Sequence, residues 1–333
     1  MKSLIKKLVE TAAPSGYEKK LREIIRSEIE AFVDEIRVDV MGNLIARKQA
    51  KSEGKRIMIA AHIDEIGVMV THIDEGGFAR FTNVGGVFPR NCVGGHVRFM
   101  NGVMGVIGME REDNRQSVLP LEKMYIDSGA TSRGSCQVKT GDVGVFERPF
   151  LDLGNRLVSK AMDDRIGVAV IIEALRKLEH SPYDVYFVFS AQEEVGTRGA
   201  IPAAYDIDPH LGLAVDVTLT GDTPKSIKMD VGLGKGAAIK VRDSGMLADP
   251  HIVEWMVSTA QKHNIPYQLE VLEAGSTDAR SIQVSRLGVP TGALSIPARY
   301  VHTPSEMVDY QDVQAGVSLL LALLSNDYPF EYL

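Results

Sequence analysis

The 333-residue sequence predicts an α/β fold: a mainly parallel sheet sandwiched between helices, with a small β-barrel-like domain inserted into it. Three observations carry this prediction. Short, nearly continuous apolar runs recur at 57–61, 185–191, 211–215 and 291–296. Runs of that length without alternation suit strands buried on both faces, as in a parallel sheet covered by helices. Helical periodicity stands between them, at 166–178 and 251–263, in the strand–helix alternation of an α/β sandwich. Finally, fifteen of the 31 glycines fall between Gly67 and Gly154.

That glycine-rich stretch carries short β-branched segments, the turn pairs Gly76-Gly77, Gly85-Gly86 and Gly94-Gly95, and no long helix. It predicts a barrel or sandwich of short strands. With boundaries near 67 and 157, residues 67–157 form the insert, and 1–66 with 158–333 form one discontinuous larger domain. At the start of the chain, 2–33 predict an amphipathic helical region broken at Pro14-Ser15-Gly16.

Composition narrows the function. With 44% hydrophobic and 24% charged residues the chain is globular, neither disordered nor fibrous. A net charge of −7 offers no basic surface for nucleic acid or an anionic membrane. Two cysteines, Cys92 and Cys136, exclude a disulfide scaffold and point to a reducing compartment. The N-terminus lacks the uninterrupted apolar core of a signal peptide. The apolar stretches 166–172 and 319–324 are far shorter than the roughly 20 residues that span a bilayer. The expectation is a soluble, cytoplasmic protein.

Chemistry follows from position. Each apolar run leads into a metal-capable side chain: 57–61 into His62, 185–191 into Glu193 and Glu194, 211–215 into Asp216, and 291–296 into His302. In open α/β sheets ligands collect outside the carboxyl ends of the strands, so these side chains converge if the strands are parallel neighbours. The acidic pair Asp163-Asp164 opens the 166–178 helix, where it could cap the helix or deliver a carboxylate to the same rim. Imidazole and carboxylate without thiolate suit zinc, cobalt or manganese. Two ions about 3.5–4 Å apart need a bridging carboxylate and further ligands on each side, and the inventory meets that need.

Local detail supports this. In His62-Ile63-Asp64 the outer residues point the same way on an extended chain, so Asp64 can accept a hydrogen bond from the ring nitrogen of His62 that faces away from a metal. Of the pair Glu193-Glu194, one carboxylate can bind a metal while the other takes a proton. The tetrapeptide His-Ile-Asp-Glu recurs at 72–75, ahead of Gly76-Gly77, where it predicts a solvated hairpin turn. Histidines 96, 180, 210, 251 and 263 carry no such context. The run from Gly232 to Gly236 fits neither phosphate-binding spacing and predicts a plain turn. The loop from Gly275 to Ala279 fits a polar site loop and an ordinary turn equally.

The ordered motifs AHIDEIG (61–67), KAMDDRIG (160–167), AQEEVGTRGA (191–200), AVDVT (214–218) and SIPARYVHTPSE (295–306) resemble the TET, or glutamyl-aminopeptidase-like, co-catalytic metallopeptidases over essentially the whole chain. The resemblance implies two divalent ions bridged by Asp163, one completed by His62 and Asp216, the other by Glu194 and His302. It implies Glu193 as general base of an activated water, Asp64 as the acid orienting His62, and a cis peptide bond at Asp163–Asp164. It further implies peptide substrates and assembly, in part through the insert, into a tetrahedral dodecamer. Ser276 stands where relatives commonly have glycine, and Ala298 where a larger residue precedes the Arg-Tyr pair.

Two rival readings remain at this point. A glycoside hydrolase (relatives are sometimes labelled cellulases) needs paired carboxyl groups and usually no metal, which leaves His62 and His302 without a role. Its sugar-stacking aromatics are also scarce, with one tryptophan in the chain. A catalytically silent peptide-binding scaffold would retain the metal-capable set, and the intact Glu193 argues against it.

Overall fold

A computed structural model describes residues 1–51, 54–111 and 118–328. Among the described residues the α-helices are α1 (Lys2–Glu10), α2 (Lys19–Ile29), α3 (Met162–Lys177), α4 (Ala200–Ile207), α5 (Pro250–Lys262), α6 (Ala279–Gln283) and α7 (Tyr310–Ser325). The strands preceding α3 are β1 (Glu35–Val38), β2 (Leu44–Lys48), β3 (Arg56–His62), β4 (Gly67–Ile73), β5 (Ala79–Val84), β6 (His96–Phe99), β7 (Met104–Met109), β8 (Met124–Asp127), β9 (Val143–Phe146), β10 (Leu151–Leu153) and β11 (Arg156–Ser159). After it come β12 (Asp184–Ser190), β13 (Leu211–Thr218), β14 (Ala237–Arg242), β15 (Tyr267–Val271), β16 (Thr291–Arg299) and β17 (Glu306–Asp309).

The fold class is the α/β one that the apolar runs predict. Eleven strands form one sheet in the order β1-β2-β12-β3-β13-β16-β17-β11-β10, with β14 joining β16 and β15 joining β14. The four predicted runs are its centre, the parallel neighbours β12, β3, β13 and β16. Every residue of β13 is buried, as a strand covered on both faces must be. The flanks are antiparallel: β2 pairs with β12, and β17 and β14 with β16. Among the described residues, no helix is long and apolar enough to cross a membrane.

The glycine-rich segment closes into a six-stranded barrel, β4-β5-β8-β7-β6-β9, with its own core around Val68, Phe81, Val97, Phe99 and Ile126. Closure removes the exposed strand edges that such short strands would present. Of the segment 67–157, residues 112–117 lie outside the described residues. Strands β10 and β11 belong to the large sheet, where β11 pairs with β17, so the barrel itself ends with β9 at Phe146.

Helices α3 and α5 match the predicted periodic segments, and α1 and α2 flank the Pro14-Ser15-Gly16 break. Helix α7 does not announce itself in the sequence: it is buried on most of its circumference, from Val313 to Leu324, so its polar stripe is thin. The Gly232–Gly236 run is a turn docked on this helix, where the backbone N–H groups of Gly234 and Gly236 each donate to Asp312 at 2.7 Å.

Candidate metal centre

Parallel pairing of β12, β3, β13 and β16 opens their carboxyl ends on one edge of the sheet. His62 closes β3, Glu193 and Glu194 follow β12, Asp216 lies near the end of β13, and His302 follows β16. Asp163 arrives from the first turn of α3. The structure brings His62, Asp163, Glu193, Glu194, Asp216 and His302 onto the wall of one cavity of about 450 Å³. Asp64 lies directly behind it, fully buried.

Asp163 sits between the two imidazoles. Its Oδ1 is 2.9 Å from Nε2 of His62 and its Oδ2 is 3.3 Å from Nε2 of His302. Glu194 Oε2 is 3.4 Å from Nε2 of His302. On the other side, Asp216 Oδ1 and Glu193 Oε2 each lie 4.0 Å from Nε2 of His62. The peptide bond from Asp163 to Asp164 is cis.

The acidic pair at the start of α3 divides its labour. Asp164 accepts hydrogen bonds from the backbone N–H of Gly167 (3.0 Å) and of His62 (3.2 Å), so it caps the helix and ties it to the end of β3. Both readings of that pair therefore apply, one to each residue. His62, Asp164 and Asp216 also bring one potential ligand atom each within 4.8 Å of one another, but the two oxygens of Asp164 are already engaged by backbone donors.

Asp64 organises the rim from beneath. It accepts from the backbone N–H of Glu193 (2.9 Å) and Glu194 (3.2 Å) and from the hydroxyl of Ser15 (2.6 Å). Nδ1 of His62 lies 3.2 Å from the Asp64 backbone carbonyl and 3.5 Å from its Oδ1. A proton held on Nδ1 by that carbonyl would leave Nε2, now 2.9 Å from Asp163, free to ligate a cation. The next residue, Glu65, is buried too, pairing with Lys160 at 2.6 Å and Arg165 at 3.4 Å.

The electrostatics are those of crowded acids. Burial pushes Asp216 and Glu193 well above the usual carboxylate range, and burial beside Asp163 raises Glu194 to about 7. Burial opposes charge on His302, yet the Asp163 and Glu194 carboxylates hold it up at about 10. Burial likewise opposes charge on His62, and its acidic neighbours raise it well above the ordinary imidazole value. Asp163 itself is lowered against its burial by hydrogen bonds from both histidines. Four largely buried carboxylates thus face two imidazoles, a surplus of negative charge that divalent cations would neutralise. The all-nitrogen-and-oxygen donor set fits such ions.

Sequence reasoning missed several contributors. Glu306, inside the last motif, accepts from the backbone of both Asp163 and His302. Gly86, from the barrel, packs against the His302 ring with no room for a Cβ. Lys240 lines the cavity wall while fully buried, paired to Glu270 at 2.5 Å and 3.6 Å from Asp243. No sequence spacing links these residues to the centre, because each reaches it through the fold. Of the two positions that depart from the family pattern, Ser276 lines the cavity and Ala298 is buried in the core on β16.

This carboxylate–imidazole cluster at a parallel-sheet edge is one that could hold metal ions. The sequence model of the M42 glutamyl aminopeptidase family matches residues 42–319, and the chain belongs to that family. It is an aminopeptidase, a hydrolase acting on peptides. A protein of Acetivibrio thermocellus with a provisional aminopeptidase name is 48% identical over 96% of this chain and 97% of its own. The solved aminopeptidase APDkam598 of Desulfurococcus kamchatkensis superposes with a TM-score of 0.94 at 40% identity, covering 98% of this chain and 95% of that one. The TET1 peptidase of Pyrococcus horikoshii, which can assemble into a tetrahedron or a large octahedral shell, gives 0.88 at 34% identity, covering 98% and 99%. A Thermotoga maritima structure named endoglucanase gives 0.81 at 33% identity, covering 96% of each chain.

Proposed function

We propose that the chain removes N-terminal residues from peptides with two divalent ions and a glutamate base. Asp163 would be shared between the ions, His62 and Asp216 holding one and Glu194 and His302 the other. The observation that carries this reading is the placement of Asp163, one oxygen facing each imidazole. When bound, the ions supply Lewis-acid polarisation of the scissile carbonyl and acidify the attacking water. Glu193 takes the proton from that water and returns it to the departing amine. Asp64 fixes the backbone of Glu193 and Glu194 and the ring of His62, so that base and ligands keep one geometry. The carboxylate-rich wall attracts the substrate's free α-ammonium group, which restricts cleavage to the N-terminus.

Zinc, cobalt and manganese all suit this donor set. Glu193→Gln tests the assignment: turnover of aminoacyl-anilides falls by about 10²–10⁴ with metal content unchanged. Retained activity excludes Glu193 as the base. The endoglucanase name of the Thermotoga relative sets the rival, and the two imidazoles flanking Asp163 favour the peptidase. Chelator-resistant release of reducing sugar would reverse that preference.

We also read 67–157 as an inserted assembly domain, with 1–66 and 158–333 forming the catalytic one. The chain then assembles as a homo-oligomer, a tetrahedral dodecamer, in line with the tetrahedral assembly of the Pyrococcus relative. A dimer mass in light scattering would refute this. The free thiols of Cys92 and Cys136 accord with a cytoplasmic location, which cell fractionation checks.

A further inference from the structure

Glu306 opens β17 with its side chain only 2% exposed. Its Oε2 accepts the backbone N–H of Asp163 at 3.0 Å and its Oε1 accepts that of His302 at 2.8 Å. One carboxylate thus joins the start of α3 to the loop between β16 and β17. Burying an acid beside the Asp163 carboxylate is unfavourable, and a hydroxyl or amide would satisfy a single N–H in that place at less cost. Here the two donors are taken by different oxygens of one group, a pair of acceptors that Glu provides and Gln does not.

The backbone of His302 needs such a restraint. Its φ is +61°, in the left-handed region that side chains rarely adopt. The hydrogen bond from its N–H to Glu306 closes the loop around that conformation. Gly86 of the barrel packs against the imidazole from outside, and the Asn91 amide donates to the His302 carbonyl at 3.4 Å.

The structure assigns Glu306 as a positioning residue that sets the spacing between the side chains of Asp163 and His302, and with it cation affinity at the His302 half of the centre. The inference rests on the proposed dinuclear reading and adds to it a residue that contacts no ion.

The test uses the full-length chain stripped of metal and titrated with cobalt(II), followed by calorimetry and by visible absorption. Wild type binds two ions, and His302→Ala abolishes one site. In Glu306→Gln that same site weakens about 10–100-fold and its absorption bands shift, the usual consequence of losing a group that orients a ligand. The other site keeps its affinity, and the metal-free variant keeps cooperative thermal unfolding. Unchanged affinity at both sites, or equal loss at both, overturns the inference. Failure of the metal-free Gln variant to fold assigns Glu306 to the fold alone and also overturns it. Fewer than two ions bound by wild type overturns the dinuclear reading itself, and this inference with it.

Discussion

The tetrapeptide His-Ile-Asp-Glu occurs twice, at 62–65 and at 72–75. In the first copy His62, Asp64 and Glu65 are all buried and reach distant parts of the chain: His62 and Glu65 meet the start of α3, at Asp163 and at Lys160 and Arg165, and Asp64 meets the Glu193-Glu194 turn. In the second, His72 is exposed on β4, Asp74 accepts from the backbone N–H of Phe78 within the hairpin turn, and Glu75 pairs with Arg133 at the surface. Only the isoleucine plays the same part in both: Ile63 belongs to the main core and Ile73 to the barrel core. Identical side chains acquire chemistry in one place and solvation in the other because of the strand they terminate. β3 is a central parallel strand ending where other chain segments converge; β4 is a barrel strand running into its own turn.

That contrast can be broken by paired substitutions. The largest difference belongs to the histidines: His62→Ala abolishes turnover and the retention of one of the two ions, whereas His72→Ala leaves kcat/KM within about twofold, as surface changes do. Equal losses from the two would dissolve the distinction. Next come the glutamates. Glu65→Gln leaves Lys160 and Arg165 buried with the compensating charge gone, and urea denaturation of the metal-free protein should show a loss of about 3–5 kcal/mol. Glu75→Gln should leave the denaturation midpoint where it was.

The aspartates should differ less. Asp64→Asn turns an amide donor towards the backbone N–H of Glu193 or Glu194, and chelator competition should show metal affinity about 10–100-fold weaker. Asp74→Asn keeps an acceptor for the turn and should leave affinity unaltered. Smallest is the thermal effect of the chelator. Stripping metal should lower the Tm of wild type and of His72→Ala alike, by linkage to the folded state. The Tm of His62→Ala should drop by less, because only one site remains to be stripped, and an undiminished drop there would remove His62 from the ligand set.

Much of this was legible beforehand because burial on both faces leaves a trace in the sequence. The four central strands show it as nearly continuous apolar runs, and the barrel shows its tight turns as glycine pairs. The antiparallel flanks leave no such trace: β17 is four residues long, and β14 carries Lys240 and Arg242 within its six residues. Helix α7 is hidden by its own burial. At the candidate centre, His62, Glu193, Glu194 and Asp216 stand out because each follows an apolar run. Asp163 could not be separated from Asp164 by spacing, since adjacent acids at a helix start look alike until one is seen bonded to Gly167 and the other facing two imidazoles.

By itself, then, the sequence determined which strands are central and which polar side chains lie at their carboxyl ends, because hydrophobic patterning is a local property set by the environment of each segment. Tertiary structure alone decided that Glu306 ties Asp163 to His302, and that Gly86 packs against the His302 ring. Those outcomes depend on pairing between segments far apart in the chain, and a hydrogen bond between them leaves no periodicity in either one.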